Sequence, residues 1–454
     1  MLHDRSNESH LCMRSILVLV TLVGCLPVVF RWPHVGVLLW TWLAFMNPHR
    51  ISWGIASDIR LSLIVGLVTI VAWLFSREPK TLPMNRVSIV FAMFVFWLIF
   101  TTPFAEMPDE AWTKFVETMK IMLMTVIAMC VMQSRERIHA LIWMIVLCIG
   151  YFGFKGGLFA IATGGNYLMW GPPGTFLEAN NSLAVAMVMT LPILRYLQLT
   201  SPIKWVRWGM LLTMVLFLAG IAASYSRGAW LACGAMLVVL WLRSRKRVLL
   251  GFVFVAAVGA ILALAPEKMF ERFDTIETYE EDDSAMTRIY MWKLSWDIAV
   301  DRPLTGGGFG VFDAWHLYER HNSPVPRVRS VHSSYFEVLG EHGFPGLILF
   351  LGLMLAGLTS AGWIIRNTRN HPQMTWARDL AAMLQVSIVG FIVGGSFIHK
   401  AYFDVYLAIF ILLATTHSVV EREFRAQSAD SASALSPGGA KYNPPPAPGS
   451  RLRY

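Results

Sequence analysis

Residues 332–365 read HSSYFEVLGEHGFPGLILFLGLMLAGLTSAGWII. The stretch opens with two histidines, three hydroxyl side chains and two glutamates. From Leu347 to Ile365 it then carries no charge at all. As an α-helix that second part is on the order of 28 Å long, the thickness of a bilayer's hydrocarbon core. Comparable apolar runs recur at Leu61–Phe75, Val87–Ile99, Ile138–Phe159, Leu211–Ala223, Val248–Ala265 and Val386–Phe397. The chain is 56% hydrophobic and 15% charged, with mean hydropathy +0.53. Soluble domains carry roughly 25% charged residues. The pattern predicts an all-α polytopic membrane protein with about twelve transmembrane helices. One membrane domain takes residues 1–420, including a large outer loop at 266–331 with short helices, and no internal repeat is visible.

The net charge of +9 could suggest nucleic acid, but its distribution excludes that partner. The cations collect in short loops, as the positive-inside rule expects of cytoplasmic segments. Arg243–Arg247 is the most basic loop. Alternating crossings put Arg77/Lys80/Arg86, Arg135/Arg137, Arg195/Lys204/Arg207 and Arg366/Arg369/Arg378 on the same side. The predicted topology has both termini cytoplasmic, with Val35–Met46 re-entrant or interfacial because it is short for a span. Residues 421–454, rich in Ser, Ala, Pro and Gly, are predicted to be a disordered cytoplasmic tail.

The five cysteines form no CxxC pair and no zinc-type spacing. They read as small apolar residues. Leu22-Val23-Gly24-Cys25 looks like a lipoprotein cleavage box, which an apolar segment produces by chance. No metal site or cofactor is predicted.

The unusual polar residues fall on the other, outer side. The acidic run Glu277–Asp283 lacks the ligand pattern of an EF-hand and reads as a solvated face. An amphipathic helix follows at Ser284–Val300, with Arg288, Trp292 and Trp296 four apart on one face. Such a face fits lipid headgroups or a functional site. Leu304–Gly310, including Gly307, is either a plain turn or a backbone nest for an anion. Arg227 sits among small residues in Ser224–Gly228, where a ligand can approach. Lys155, within an apolar run, either snorkels or has a partner. His332 lies at the outer mouth of a span, where a neutral imidazole can take a proton from a hydroxyl. An arginine pair on a diphosphate plus a base on a hydroxyl makes a group-transfer site.

These residues resemble a known family. His332, Ser333, Gly343 and Gly346 match the pattern of the O-antigen ligase and polymerase superfamily. That pattern is His, then Asn/Ser/Gln, nine residues, Gly, two residues, then Gly/Thr/Tyr. Ser333 stands where many ligases have Asn. Asn47-Pro48-His49-Arg50, Phe154-Lys155-Gly156-Gly157, Trp170-Gly171-Pro172-Pro173, Asn180-Asn181, Ser226-Arg227-Gly228-Ala229, Arg272-Phe273-Asp274-Thr275-Ile276 and Arg302-Pro303-Leu304-Thr305-Gly306 are similar to ligases associated with the exosortase A system. The resemblance implies a GT-C-like bacterial inner-membrane glycosyltransferase with a periplasmic active site. It would move a preassembled glycan from undecaprenyl diphosphate to a hydroxyl, without metal and with inversion. Lipid A-core, giving lipopolysaccharide, is the first acceptor implied; a protein hydroxyl or a growing glycan are the others. In this reading His332 is the base and Arg227 and Arg288 hold the diphosphate. Lys155, Asn181, Trp292, Gly307 and Tyr335 are further candidate substrate contacts. A lipid-linked glycan transporter is the rival from another class.

Overall fold

The computed structural model describes residues 2–52, 56, 59–78, 80–243 and 283–435. Among them there are 15 α-helices and no strand. In chain order these are α1 (Leu2–Arg31), α2 (Pro33–Phe45), α3 (Pro48–Ile51), α4 (Leu61–Phe75), α5 (Arg86–Thr101), α6 (Pro108–Val131), α7 (Arg135–Ala162), α8 (Asn180–Thr200), α9 (Lys204–Ala222), α10 (Arg227–Arg243), α11 (Asp283–Asp301), α12 (Trp315–Arg320), α13 (Ser334–Asn367), α14 (Thr375–Gly394) and α15 (Asp404–Leu435). Eight described helices are long and apolar enough to cross a membrane, and α2 and α4 are shorter apolar helices. The chain is an all-α polytopic membrane protein. The run Val248–Ala265, the acidic run up to Asp282 and the Arg272–Ile276 motif lie outside the described residues.

The spans within α15 and α8 are 89% and 78% buried, whereas those in α1 and α9 are only 22% buried. The first two form the axis of the bundle and the last two its rim. Contact between apolar helices in lipid depends on close packing more than on water release, so small residues mark the seams. In α7, a Cβ on Gly157 would fall 2.2 Å from the Leu216 carbonyl oxygen of α9. One on Gly156 would meet the Met169 sulfur at 1.9 Å. The glycines of Phe154–Gly157 are therefore a helix seam filled by Met169.

The basic loops meet on one face. Arg137 makes two hydrogen bonds to Glu78, at 2.9 and 2.7 Å. Arg422 donates to the Gln133 side chain at 2.9 Å, and the Arg135 guanidinium lies over Trp376, 5.5 Å from the ring centroid. The outer loops meet on the opposite face. Phe45 packs on Phe176, with ring centroids 6.0 Å apart, and Tyr225 Oη donates to the Gly165 carbonyl at 2.6 Å.

His34 at the start of α2 lies within electrostatic reach of Glu78 and Arg137, while Phe45 at its end touches the outer loop. α2 thus links the surroundings of Glu78 to the outer loop, and α1 and α4 pack against it. Ser15 of α1 lies 3.4 Å from Ser52 on the outer face, whereas Arg422 is on the basic face. The last helix continues through 421 to Leu435, because Glu421–Leu435 is rich in helix formers and has no proline before Pro437.

Candidate functional site

His332 ends an extended segment and sits in the left-handed region at φ 48°, next to the N-cap Ser333. Histidine tolerates this conformation better than most residues, yet it remains strained. Two contacts hold it. Trp292 Nε1–H donates to the Val331 carbonyl at 3.1 Å, and the indole stacks on Phe336 at 5.3 Å with planes 7° apart. Trp292 is thus a half-buried brace behind His332. Arg288 lies one turn earlier on the same face of α11. Burial, then the charges of Arg288 and Arg329, hold the His332 imidazole below its ordinary value of 6.5, so it is neutral at pH 7.

The glycine-rich segment closes the floor. The N–H groups of Gly307 and Gly308 donate to the carbonyls of Gly340 and Glu341, both at 2.8 Å. Gly310 N–H donates to the Glu341 carboxylate at 2.9 Å. These donors point at α13, so this loop docks a helix end. Two ion pairs lie beside it, Arg302 with Glu106 at 2.6 Å and Lys114 with Asp313 at 2.7 Å.

α13 is two helices joined at a bend. Gly343 has φ 69° and ψ −170°, and beyond it the apolar span begins. A Cβ there would lie 2.6 Å from the Pro303 carbonyl oxygen. At Gly346 it would lie 2.5 Å from the Cβ of His342. Both motif glycines thus have steric reasons.

Arg227 begins α10, and Ser226 caps that helix by accepting from Ala229 N–H at 3.3 Å. Gly228 packs so tightly on Phe397 that a Cβ would come within 2.3 Å of that side chain. The next residue after Phe397, Ile398, accepts from Ser334 Oγ at 2.9 Å. Gly228 and Ser334, close in sequence to Arg227 and His332, therefore both contact the short segment 397–398. Asn180 Nδ2 donates to the Ser224 carbonyl at 2.7 Å, tying α8 to this corner, while Asn181 accepts from Ser182 N–H.

The other candidates sit apart. Tyr335 turns into the bundle, donating to the Ile392 carbonyl at 2.7 Å. Exposed Lys155 is the single cation lining a groove of about 530 Å³ between α7, α8 and α9, with Tyr151, Phe154 and Leu158.

Within this arrangement, residues 212–351 match the family described as O-antigen ligase. The match supports the O-antigen ligase and polymerase superfamily for this segment. The O-antigen ligase segment spans α10, α11, His332 and the first half of α13. Residues 13–202 match a family of unknown function. A search of curated proteins gives no match.

Sequence reasoning missed Arg329, Glu337, Glu341, His342, His399 and Tyr402. Glu341 Oε2 accepts from Tyr402 Oη at 2.8 Å, and Tyr402 Oη is 2.7 Å from His342 Nε2. His342 Nδ1 is 2.7 Å from Thr101 Oγ1. The available signal was a polar stretch, His399–Asp404, on the outer side between two apolar runs.

Proposed function

We propose that this protein transfers a preassembled glycan en bloc from undecaprenyl diphosphate to an acceptor hydroxyl. The reaction takes place at the periplasmic face of the bacterial inner membrane, with lipid A-core as the first acceptor to test. The observation that carries this reading is the placement of His332, braced through Trp292 and Val331 and within electrostatic reach of Arg288 and Arg329, at the mouth of a membrane helix inside the segment that matches O-antigen ligase. The compartments follow from charge: the face bearing the basic loops is cytoplasmic under the positive-inside rule, and His332 is on the other.

The acceptor oxygen attacks the anomeric carbon. The bond from that carbon to the diphosphate breaks, and its electron pair stays with the lipid diphosphate. His332 takes the hydroxyl proton as general base. Arg227 and Arg288 hold the diphosphate and stabilise the charge that grows on it. Direct in-line attack inverts the anomeric centre. Arg288, together with Arg329, also tunes the base. In the free protein their charge opposes protonation of His332; a bound diphosphate offsets it and makes the imidazole a stronger base when donor is present.

Reconstitution with lipid-linked donor and candidate acceptors tests the proposal. His332→Ala should insert normally and form no product. Intact transfer by that variant would overturn the role of the base. A single block on a foreign acceptor marks a ligase, a ladder from donor alone a polymerase, and no covalent product a transporter. Mass analysis of lipid A-core and of secreted proteins, with and without the chain, identifies the acceptor.

A further inference from the structure

Between α12 and α13 the chain runs as a strap, residues 321–333, that leads into His332. Two buried valines pin it. Val325 and Val331 insert into a small core with Met291 and Leu294 of α11 and Leu317 of α12. Pro324 and Pro326 fix the backbone on either side of Val325. Tyr318 Oη donates to the Phe312 carbonyl at 2.8 Å and lies 3.4 Å from the Arg329 backbone nitrogen, whose N–H it accepts. Trp292 holds the Val331 carbonyl at 3.1 Å. Between these anchors residues 326–329 are all exposed. The strap thus presents two guanidiniums, Arg327 and Arg329, on a backbone already held in place, which lowers the ordering cost of binding.

Neighbouring cations have their counter-charges: Arg302 has Glu106 at 2.6 Å, Lys114 has Asp313 at 2.7 Å and Lys293 has Asp297 at 2.9 Å. Among the described residues no carboxylate pairs with Arg327 or Arg329. The nearest acids along the chain are turned elsewhere. Glu319 accepts from Trp315 Nε1–H at 2.8 Å. Glu337 accepts from Ala401 N–H at 2.9 Å and faces His399 Nε2 at 3.4 Å. Two guanidiniums two residues apart without an internal counter-charge match a phosphate monoester, which carries about −1.5 to −2 at pH 7 and offers three acceptor oxygens. Chain length fixes where such a group would sit. Arg329 Cα lies at most about 11 Å from His332 Cα, and Arg327 Cα at most about 18 Å.

We propose that Arg327 and Arg329 form a binding site for a phosphate carried by the acceptor, close to its accepting hydroxyl. The proposal rests on the transfer reaction described above and names the acceptor's chemical class. Arg227 and Arg288, assigned to the donor diphosphate, are half-buried. Such cations suit a leaving group that gains charge in a site shielded from water. The strap pair is exposed and suits a large, hydrated partner that arrives and leaves from the aqueous side. Seated there, the phosphate orients the acceptor so that its hydroxyl reaches the His332 imidazole. Arg327 and Arg329 are specificity residues; the hydroxyl itself is met by His332.

The test uses the full chain in phosphatidylcholine nanodiscs and measures retention of lipid A-core, intact or phosphatase-treated, without donor. Wild type should hold the intact form about tenfold more tightly, and the preference should shrink as salt rises. The double variant Arg327→Gln/Arg329→Gln should hold both forms alike, at the dephosphorylated level. It should keep undecaprenyl-diphosphate glycan within about twofold of wild type. In transfer, KM for the intact acceptor should rise with a smaller change in kcat. Arg327→Lys/Arg329→Lys, which keeps charge without the bidentate fork, should restore part of the preference. Equal retention of the two forms by wild type, absence of retention included, or an unchanged preference in the glutamine variant would overturn the proposal. A glutamine variant that keeps the preference but no longer co-purifies with phosphatidylglycerol would assign the pair to a lipid headgroup, and the proposal fails. His332→Ala should keep the preference and lose transfer. Transfer by His332→Ala would overturn the reaction itself, and retention would still decide the phosphate site.

Discussion

Gly343→Ala perturbs the bend that sets the outer helix of α13 on its membrane span. The native φ of 69° with ψ −170° lies in a region used essentially only by glycine, and placing alanine there costs about 1–3 kcal/mol. The new methyl would meet two backbone oxygens, Pro303 O at 2.6 Å and Leu304 O at 2.7 Å, neither of which can swing aside like a side chain. Displacing Pro303 breaks the 3.0 Å bond from Phe344 N–H, worth about 1 kcal/mol. Together these give roughly 3 kcal/mol against the docked arrangement, more than a hundredfold in its population. Gly352→Ala, in the same helix, is the control. Its methyl would find Val90 at 3.6 Å, an ordinary contact. A helix interior also favours alanine over glycine by about 1 kcal/mol. Thermal melts of the detergent-solubilised protein should show Gly343→Ala clearly destabilised and Gly352→Ala unchanged or improved. Transfer activity should follow the same order. Equal melting of Gly343→Ala and wild type, or equal damage from the two substitutions, would refute the argument.

The remaining predictions concern charge. Because the arginines and burial hold His332 below 6.5, the acid limb of kcat/KM should lie below pH 6.5. The limb in kcat should lie at higher pH, since bound diphosphate offsets the arginines; the reverse order would contradict the proposed diphosphate site. Arg329→Ala removes one of those charges and should move the kcat/KM limb upward, which a pH-rate series detects. The same lowered proton affinity has a stability consequence. The folded form of His332 binds fewer protons than the unfolded form, so its contribution is intact above about pH 6.5 and declines as pH falls toward the folded value. Melting temperature followed from pH 7 to 5 should therefore fall less in His332→Gln. On the basic face, Glu78→Ala strips Arg137 of two hydrogen bonds in a mostly buried pair. About 1.5–3 kcal/mol should be lost, and Glu78→Gln should retain part of it.

The apolar runs, the basic loops and the order of motifs were enough to specify an all-helical membrane bundle with one polar face. Lipid requires each backbone segment to satisfy its own hydrogen bonds, so hydropathy alone is informative about such folds. His332, Arg227 and Arg288 stood out as cations and a base among apolar and small residues, and the glycines of the histidine motif stood out by spacing. Tertiary structure decided the rest. It turned the glycine loop's N–H groups onto the end of a helix. It made Trp292 a brace for His332, and it brought Glu337 and His399 together across 62 positions of sequence (399 − 337). Hydrophobic periodicity is a local property of the chain, whereas the partner of a buried polar group is whichever loop the packing of the helices places against it.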